Sequence, residues 1–147
     1  MNFTIAPVGA QHYDRLADLW EASVRATHDF LPAGYIERLR PLVREQYLGF
    51  VQLRAWADGA GHIQGFAGVH DGKLEMLFVD PACRGQGIGK ALLAHVVDEL
   101  GVREVDVNEQ NPQAVGFYLK LGFVQVGRSE VDGQGDPFPL LHLKRVG

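Results

Sequence analysis

Only one cysteine, Cys83, occurs in the 147 residues. No disulfide can therefore form within the chain, and a reducing, cytoplasmic setting is expected. Cys83 sits beside a glycine-rich loop, where it reads either as a reactive thiol or as a small loop residue, with no second cysteine to resolve an oxidised one. Long apolar runs are missing too. None approaches the ~18 residues of a membrane-spanning helix, and the opening MNFTIAPVG has neither the cationic nor the long apolar segment of a secretory leader. There is no basic surplus: 14 Lys and Arg against 18 Asp and Glu leave a formal charge of −4. That argues against nucleic acid or an anionic membrane as the main partner, while leaving room for a cationic substrate drawn to a local acidic pocket. The histidines and the cysteine lack metal-ligand spacing, so no metal is expected. Repeats, low-complexity tracts and long linkers are also absent, and the length suits a single domain, 1–147.

What is present is ordinary globular material, 46% hydrophobic and 22% charged, organised around residues 74–100. Leu74 to Val79 is a short apolar strand ended by Asp80-Pro81, since proline has no N–H for a ladder and restricts the residue before it. Arg84-Gly85-Gln86-Gly87-Ile88-Gly89 follows. From Lys90 the spacing turns helical, with Leu92, Leu93, Val96, Val97 and Leu100 in one stripe. A glycine loop entering a helix aims unpaired N–H groups and the positive dipole end at one spot, which suits phosphate or pyrophosphate.

Spacing separates the phosphate-binding readings. A nucleotide P-loop needs four residues between its first glycine and Gly-Lys, then Ser or Thr. Here Gly85 and Gly89-Lys90 enclose three, and Ala91 has no hydroxyl. A dinucleotide fingerprint G-x-G-x-x-G begun at Gly85 meets Lys90 in its third glycine position, and begun at Gly87 meets Leu92. The pattern that fits is R-x-x-G-x-G, carried by Arg84, Gly87 and Gly89.

In chain order, spacing predicts a strand over Phe3–Ala6, a helix over Gln11–Arg25, and a second helix over about Ala33–Tyr47, bent near Pro41. Arg38, Arg40, Arg44 and Glu45 on that helix read as a solvated face. Strands follow at Phe50–Ala57, Ile63–His70 and Lys73–Val79, joined by Asp58-Gly59-Ala60-Gly61 and the tight turn Asp71-Gly72. Gly101 ends the next helix, Glu104–Asn108 is a strand expected parallel to the fourth, and Asn111-Pro112 opens a helix ended by Gly122. Strands Phe123–Val131 and Leu140–Lys144 flank a polar connection. The order βααβββαβαββ predicts a mixed α/β (α+β) sandwich rather than a doubly wound fold.

The helix at Asn111 carries a second motif, N-x-x-A-x-x-F-Y-x-x-x-G-F, through Asn111, Ala114, Phe117, Tyr118, Gly122 and Phe123. Together, and in this order, the two motifs resemble those of the GNAT N-acetyltransferase superfamily. The segments 26–31, 107–111 and 127–132 are further similar to the small bacterial YjaB-type acetyltransferases, a subgroup of peptidyl-lysine N-acetyltransferases. The resemblance spans nearly the whole chain. It implies a mostly antiparallel sheet of about seven strands splayed after the fourth, about four helices on both faces, and acetyl-CoA in the V-shaped gap.

The resemblance also implies roles. Backbone groups of Leu77, Phe78 and Val79 would pair with the pantetheine arm and thioester carbonyl. The amides of Gly85, Gln86, Gly87, Ile88, Gly89 and Lys90 would hold the pyrophosphate, with the Arg84 and Lys90 side chains as charge partners. Glycines let the backbone approach closely. Asn111 matches the position that bonds the cofactor arm, Ala114 and Tyr118 are further cofactor-binding positions, and Phe117 packs beside the arm or simply in the core. Transfer is direct in a ternary complex: the amine attacks the thioester and coenzyme A leaves as a thiol. Tyr118 matches the general acid. Glu75, placed by alternation on the side of Leu77 and Val79, is the candidate base, or else a solvated edge-strand acid. His28 falls where the acceptor pocket is lined; His70 reads as exposed beside its turn. Asn108 orients the acceptor or caps its strand. The acceptor is a primary amine, with protein lysine one such group. Small-molecule amines, a longer acyl chain and an acyl-CoA sensor without turnover are the other readings, and monomer and homodimer are both open.

Overall fold

A computed structural model describes residues 2–28 and 30–146. The chain divides into two compact units, Met1–Val102 and Arg103–Gly147, containing seven strands and, counting a bent segment once, four helical stretches among the described residues. The architecture is mixed α/β, as expected.

In the first unit, strands β1 (Phe3–Pro7), β2 (Gln52–Asp58), β3 (Ile63–His70) and β4 (Lys73–Val79) pair antiparallel in that order. Helix α1 (Tyr13–Thr27) starts two residues later than its periodicity suggests, because Ala10–His12 forms a 3₁₀ turn first. Helix α2 (Tyr35–Leu42) holds Pro41 in its interior, runs on as a π-helical turn over Val43–Tyr47, and finishes as the short α3 (Leu48–Phe50). Proline removes one intrahelical donor and crowds the preceding turn, and the π turn directly after it is a second source of helix bending at the same place. Consequently Phe50 closes a helix, and β2 begins at Gln52 rather than at Phe50.

Two layers cover this sheet. On one face α1 and α2 bury Leu16, Leu19, Trp20, Val24 and Ile36 with Phe66, while Met76 and Phe78 of β4 pack against them. On the other lies α4 (Ile88–Leu100), across β2, β3 and β4. A Cβ at Gly65 would lie 2.8 Å from Ile88 Cγ2 and 3.2 Å from Leu92 Cδ1, so glycine is what lets α4 sit this close to β3. Charged residues of α1 and α2 form a network: Arg40 bonds Asp18 at 2.6 Å and Glu21 at 2.9 Å, Arg25 bonds Glu21 at 3.0 Å and Glu37 at 2.8 Å, and Arg44 holds Asp14 and Glu45. The arginines read as a solvated face are thus also ties between helices.

In the second unit β5 (Glu104–Asn108), β7 (Leu140–Arg145) and β6 (Phe123–Ser129) pair antiparallel in that order, with α5 (Pro112–Lys120) packed on β5 and β6. β6 stops two residues short of the expected Val131. Register pairs Val105 with Leu143 and Val107 with Leu141, all four buried, so the intervening pair Asp106–His142 is on the opposite face.

Two loops share one construction. In Asp58-Gly59-Ala60-Gly61 and in Asp132-Gly133-Gln134-Gly135 the aspartate Oδ1 accepts from the amides two and four residues on, at 2.9–3.0 Å. Its carbonyl accepts from the last glycine, which has φ near +80°. The repeated D-G-x-G pattern explains the repeated geometry, since aspartate closes the turn and glycine takes the left-handed position. Asp71 and Gly72, both at positive φ, make the tight β3–β4 hairpin.

Candidate active site

The glycine loop is built on β4. Asp80 Oδ1 accepts from Ala82 N at 3.0 Å and caps a 3₁₀ turn, Pro81–Cys83. Arg15 of α1 reaches across to bond Ile63 O at 2.7 Å and to lie 3.5 Å from Asp80 Oδ2. This strut was not anticipated from sequence, although an aspartate before proline is a recognisable capping signal. Burial, and then the Asp80 charge, push the Cys83 thiol up. A thiol held protonated is a poor nucleophile, which supports the loop-residue reading.

Gly85 and Gly87 both have φ of +79°, and a Cβ at either would meet nothing within 4 Å. Their job is therefore backbone conformation, with open space above the loop. Helix α4 begins at Ile88 with Gly87 as its cap, two residues before Lys90. Its first helical bond is Ala91 N to Gly87 O, so the amides of Ile88, Gly89 and Lys90 have no intrahelical partner, and no side chain caps them. Ile88 is buried and anchors the turn. Arg84 and Lys90 are exposed and make no ion pair among the described residues, unlike Arg25, Arg40, Arg44 and Arg128. Open amides, a positive helix end and two uncommitted cations can bind a doubly charged phosphate group.

Glu75 requires a correction. Strict alternation would put it on the side of Leu77 and Val79, but the β3–β4 ladder pairs Gly68 with Met76 and Val69 with Leu74, leaving Glu75 as the extra residue of a bulge. Leu77 and Val79 pair with Ala67 and Gly65 on the α4 face. Glu75 instead joins Met76 in lining a cavity of 480 Å³ with Gln46, Tyr47, Phe50 and Val51. Its walls are two aromatic rings, a methionine, a valine and Gln46, and among the described residues Glu75 is its one acidic side chain. Lys73 Nζ lies 3.8 Å from the carboxylate. His70 is exposed, as expected, with its ring tilted against that of Phe50 at 4.1 Å between centroids and Nε2 3.4 Å from Asp71.

His28 is elsewhere. It lines a second cavity, of 390 Å³, with Arg25, Leu31, Pro32 and Glu37 among its walls. Its Nδ1 lies 2.7 Å from Thr27 Oγ1. Thr27 donates its own proton to Ser23 O at 2.8 Å, so His28 is the donor in their contact. Asp29, within the 26–31 segment, lies outside the described residues.

In the second unit, Asn111 is buried and caps α5, its Oδ1 accepting from Ala114 N at 3.2 Å. Asn108 Oδ1 accepts from Gln110 N at 2.9 Å and its carbonyl from Asn111 N at 3.0 Å, a turn-forming role. Ala114 and Phe117 are half-buried. Tyr118 is buried, its ring edge-on to Phe117 at 5.1 Å and Phe123 at 5.6 Å, and burial pushes its phenol well above the usual tyrosine range. The hydroxyl therefore stays protonated across the neutral range, the form a proton donor needs. Sequence reasoning missed the aromatic pocket walls Tyr47 and Phe50, which only the bend after Pro41 brings to β4.

Residues 23–138 match the family model described as an acetyltransferase (GNAT) domain, and the chain belongs to the GNAT N-acetyltransferases. It is 43% identical over 134 residues to the peptidyl-lysine N-acetyltransferase YjaB of Escherichia coli K12, covering 91% of this chain and 90% of that protein. It is 44% identical over 130 residues to the enzyme of the same name from Salmonella typhimurium, covering 88% and 89%. The solution structure of apo YjaB from Escherichia coli superimposes with a TM-score of 0.90 at 41% identity, over 100% of this chain and 99% of the other.

Proposed function

We propose that residues 1–147 act as one GNAT domain that moves the acetyl group of acetyl-CoA directly onto a primary amine, with a protein lysine side chain as acceptor. The family match crosses the boundary between the two compact units, which supports treating them as one working domain. The Gly85–Lys90 amides with Arg84 hold the cofactor pyrophosphate, Leu77 to Val79 hold its arm by their backbone, and Asn111, Ala114 and Phe117 border it. In the reaction the amine loses a proton to Glu75, directly or through water, and its nitrogen bonds the carbonyl carbon. The carbon–sulfur bond then breaks, and the sulfur takes a proton from Tyr118.

The observation that carries the acceptor reading is the Glu75 cavity. Aromatic and aliphatic walls suit the methylene stem and cationic head of a lysine, and a carboxylate meets the ammonium group. Free-thiol release from acetyl-CoA, followed with lysine-containing peptides, polyamines and other small amines, tests this. Turnover with the peptides is expected, falling about a hundredfold in Tyr118→Phe. Release only with small amines would replace the acceptor, and tight cofactor binding without release from any amine would make the chain a sensor.

A further inference from the structure

We propose that Ser129, His142 and Asp106 form a second reactive centre, an activated serine that accepts acyl groups from ester or thioester donors. The three residues come from the three strands of the second unit and share the face opposite the buried Val105, Val107, Leu141 and Leu143. His142 Nδ1 lies 2.6 Å from Asp106 Oδ1, and His142 Nε2 lies 2.6 Å from Ser129 Oγ. An ionised carboxylate can only accept, so in the neutral imidazole the Nδ1 proton points at Asp106, Nε2 carries the lone pair, and the Ser129 hydroxyl donates to it. That is the proton arrangement of an activated serine.

The supporting details are local. Gly127 pairs with His142 across the β6–β7 ladder, and the imidazole lies over it, with Cδ2 3.4 Å from where a Cβ would stand, on the way to Ser129. The side chains of His142 and Asp106 are 34% and 24% exposed, sheltered enough to strengthen the bonds and open enough for a small acyl donor. Ser129 is the last residue of β6, so the chain beyond it leaves the ladder. None of the three residues has a part in amine acetylation as proposed above. In the step, Ser129 Oγ bonds the donor's carbonyl carbon and its proton passes to His142 Nε2. The alcohol or thiol leaves and takes that proton, giving an acyl-serine that water, deprotonated by His142, hydrolyses. Asp106 acts as a positioning residue.

The full chain is mixed with p-nitrophenyl acetate, and in a parallel arm with acetyl-CoA without amine. The expected result in the ester arm is a burst of nitrophenol stoichiometric with protein, and one acetyl group on the peptide containing Ser129 by mass spectrometry. Acetylation of Ser129 in the second arm extends the donor to thioesters, and its absence there would overturn that half of the proposal. Ser129→Ala and His142→Gln should abolish the burst, with Ser129→Ala keeping its amine acetylation. Asp106→Asn should slow the burst at least tenfold, with partial rescue in Asp106→Glu. Should His142→Gln fail to fold by circular dichroism, Ser129→Ala and Asp106→Asn decide the matter. An unmodified Ser129 in the ester arm, a burst surviving in Ser129→Ala, or a wild-type rate in Asp106→Asn would overturn the proposal.

Discussion

At Glu75 one unpaired residue in a ladder decides which face of a sheet receives a carboxylate. Without the bulge the side chain would join Leu77 and Val79 on the α4 face; with it, Glu75 meets the aromatic cavity. If Glu75 takes the amine's proton, Glu75→Gln, which keeps shape and removes charge, should lower kcat/KM for a lysine peptide about a hundredfold. Steady-state thiol release checks this, and a loss under about twofold would remove Glu75 as the base. Tyr118 shows the complementary case, a residue held by burial. Edge-on packing against Phe117 and Phe123 fixes the ring, and the same apolar surroundings raise the phenol above its usual range.

The elements differ in how tightly their sequences specify them. Helix α4 is defined at both ends by glycines in the left-handed region, Gly87 and Gly101, and its apolar stripe is legible without a structure. What periodicity leaves out is the partner surface. Gly65, in mid-strand, reads only as a weak spot in β3 until α4 is seen lying on it. Gly65→Val should force Ile88 and Leu92 outward and cost about 1–3 kcal/mol, while Gly116→Ala, in an open, exposed stretch of α5, should stabilise by about 0.5–1 kcal/mol. Urea denaturation of both variants checks the contrast. The bend after Pro41 belongs to the same scale. Proline announced an interruption, but that the chain would widen into a π turn and swing Tyr47 and Phe50 toward Glu75 depended on where α1 and the sheet would let it pack.

For the molecule as a whole, ionisation limits stability from two sides. Arg44 beside Asp14, Arg25 and then Arg40 beside Glu21, Arg25 beside Glu37, and Arg128 beside Glu109 hold these carboxyls below their usual range. A carboxyl depressed in the fold contributes stability above its unfolded value and loses it as pH falls through the folded one, so the loss belongs below about pH 4. These pairs are largely exposed, and the loss should be modest and smaller in high salt. Tyr118 acts oppositely: its phenol is raised in the fold, so its contribution is complete below the unfolded value near 10 and fades as pH rises further. Melting temperatures should therefore be flat from about pH 5 to 9 and fall on both sides, with Tyr118→Phe blunting only the alkaline fall.

By itself the sequence determined the mixed α/β class, the glycine loop that opens a helix and the family, because each rests on local rules. Glycine spacing, proline stops and hydrophobic period act within a dozen residues, and the two motifs keep their order whatever packs around them. Loop chemistry was equally local, down to the shared geometry of Asp58–Gly61 and Asp132–Gly135. Tertiary structure alone decided the direction of Glu75, the cavity made with Tyr47 and Phe50, the Arg15 strut under the loop, and the meeting of Asp106, His142 and Ser129. Each depends on register or on contact between residues tens of positions apart. A one-residue bulge reverses the facing of every side chain beyond it, and nothing in a strand's own alternation announces where the partner strand will impose one.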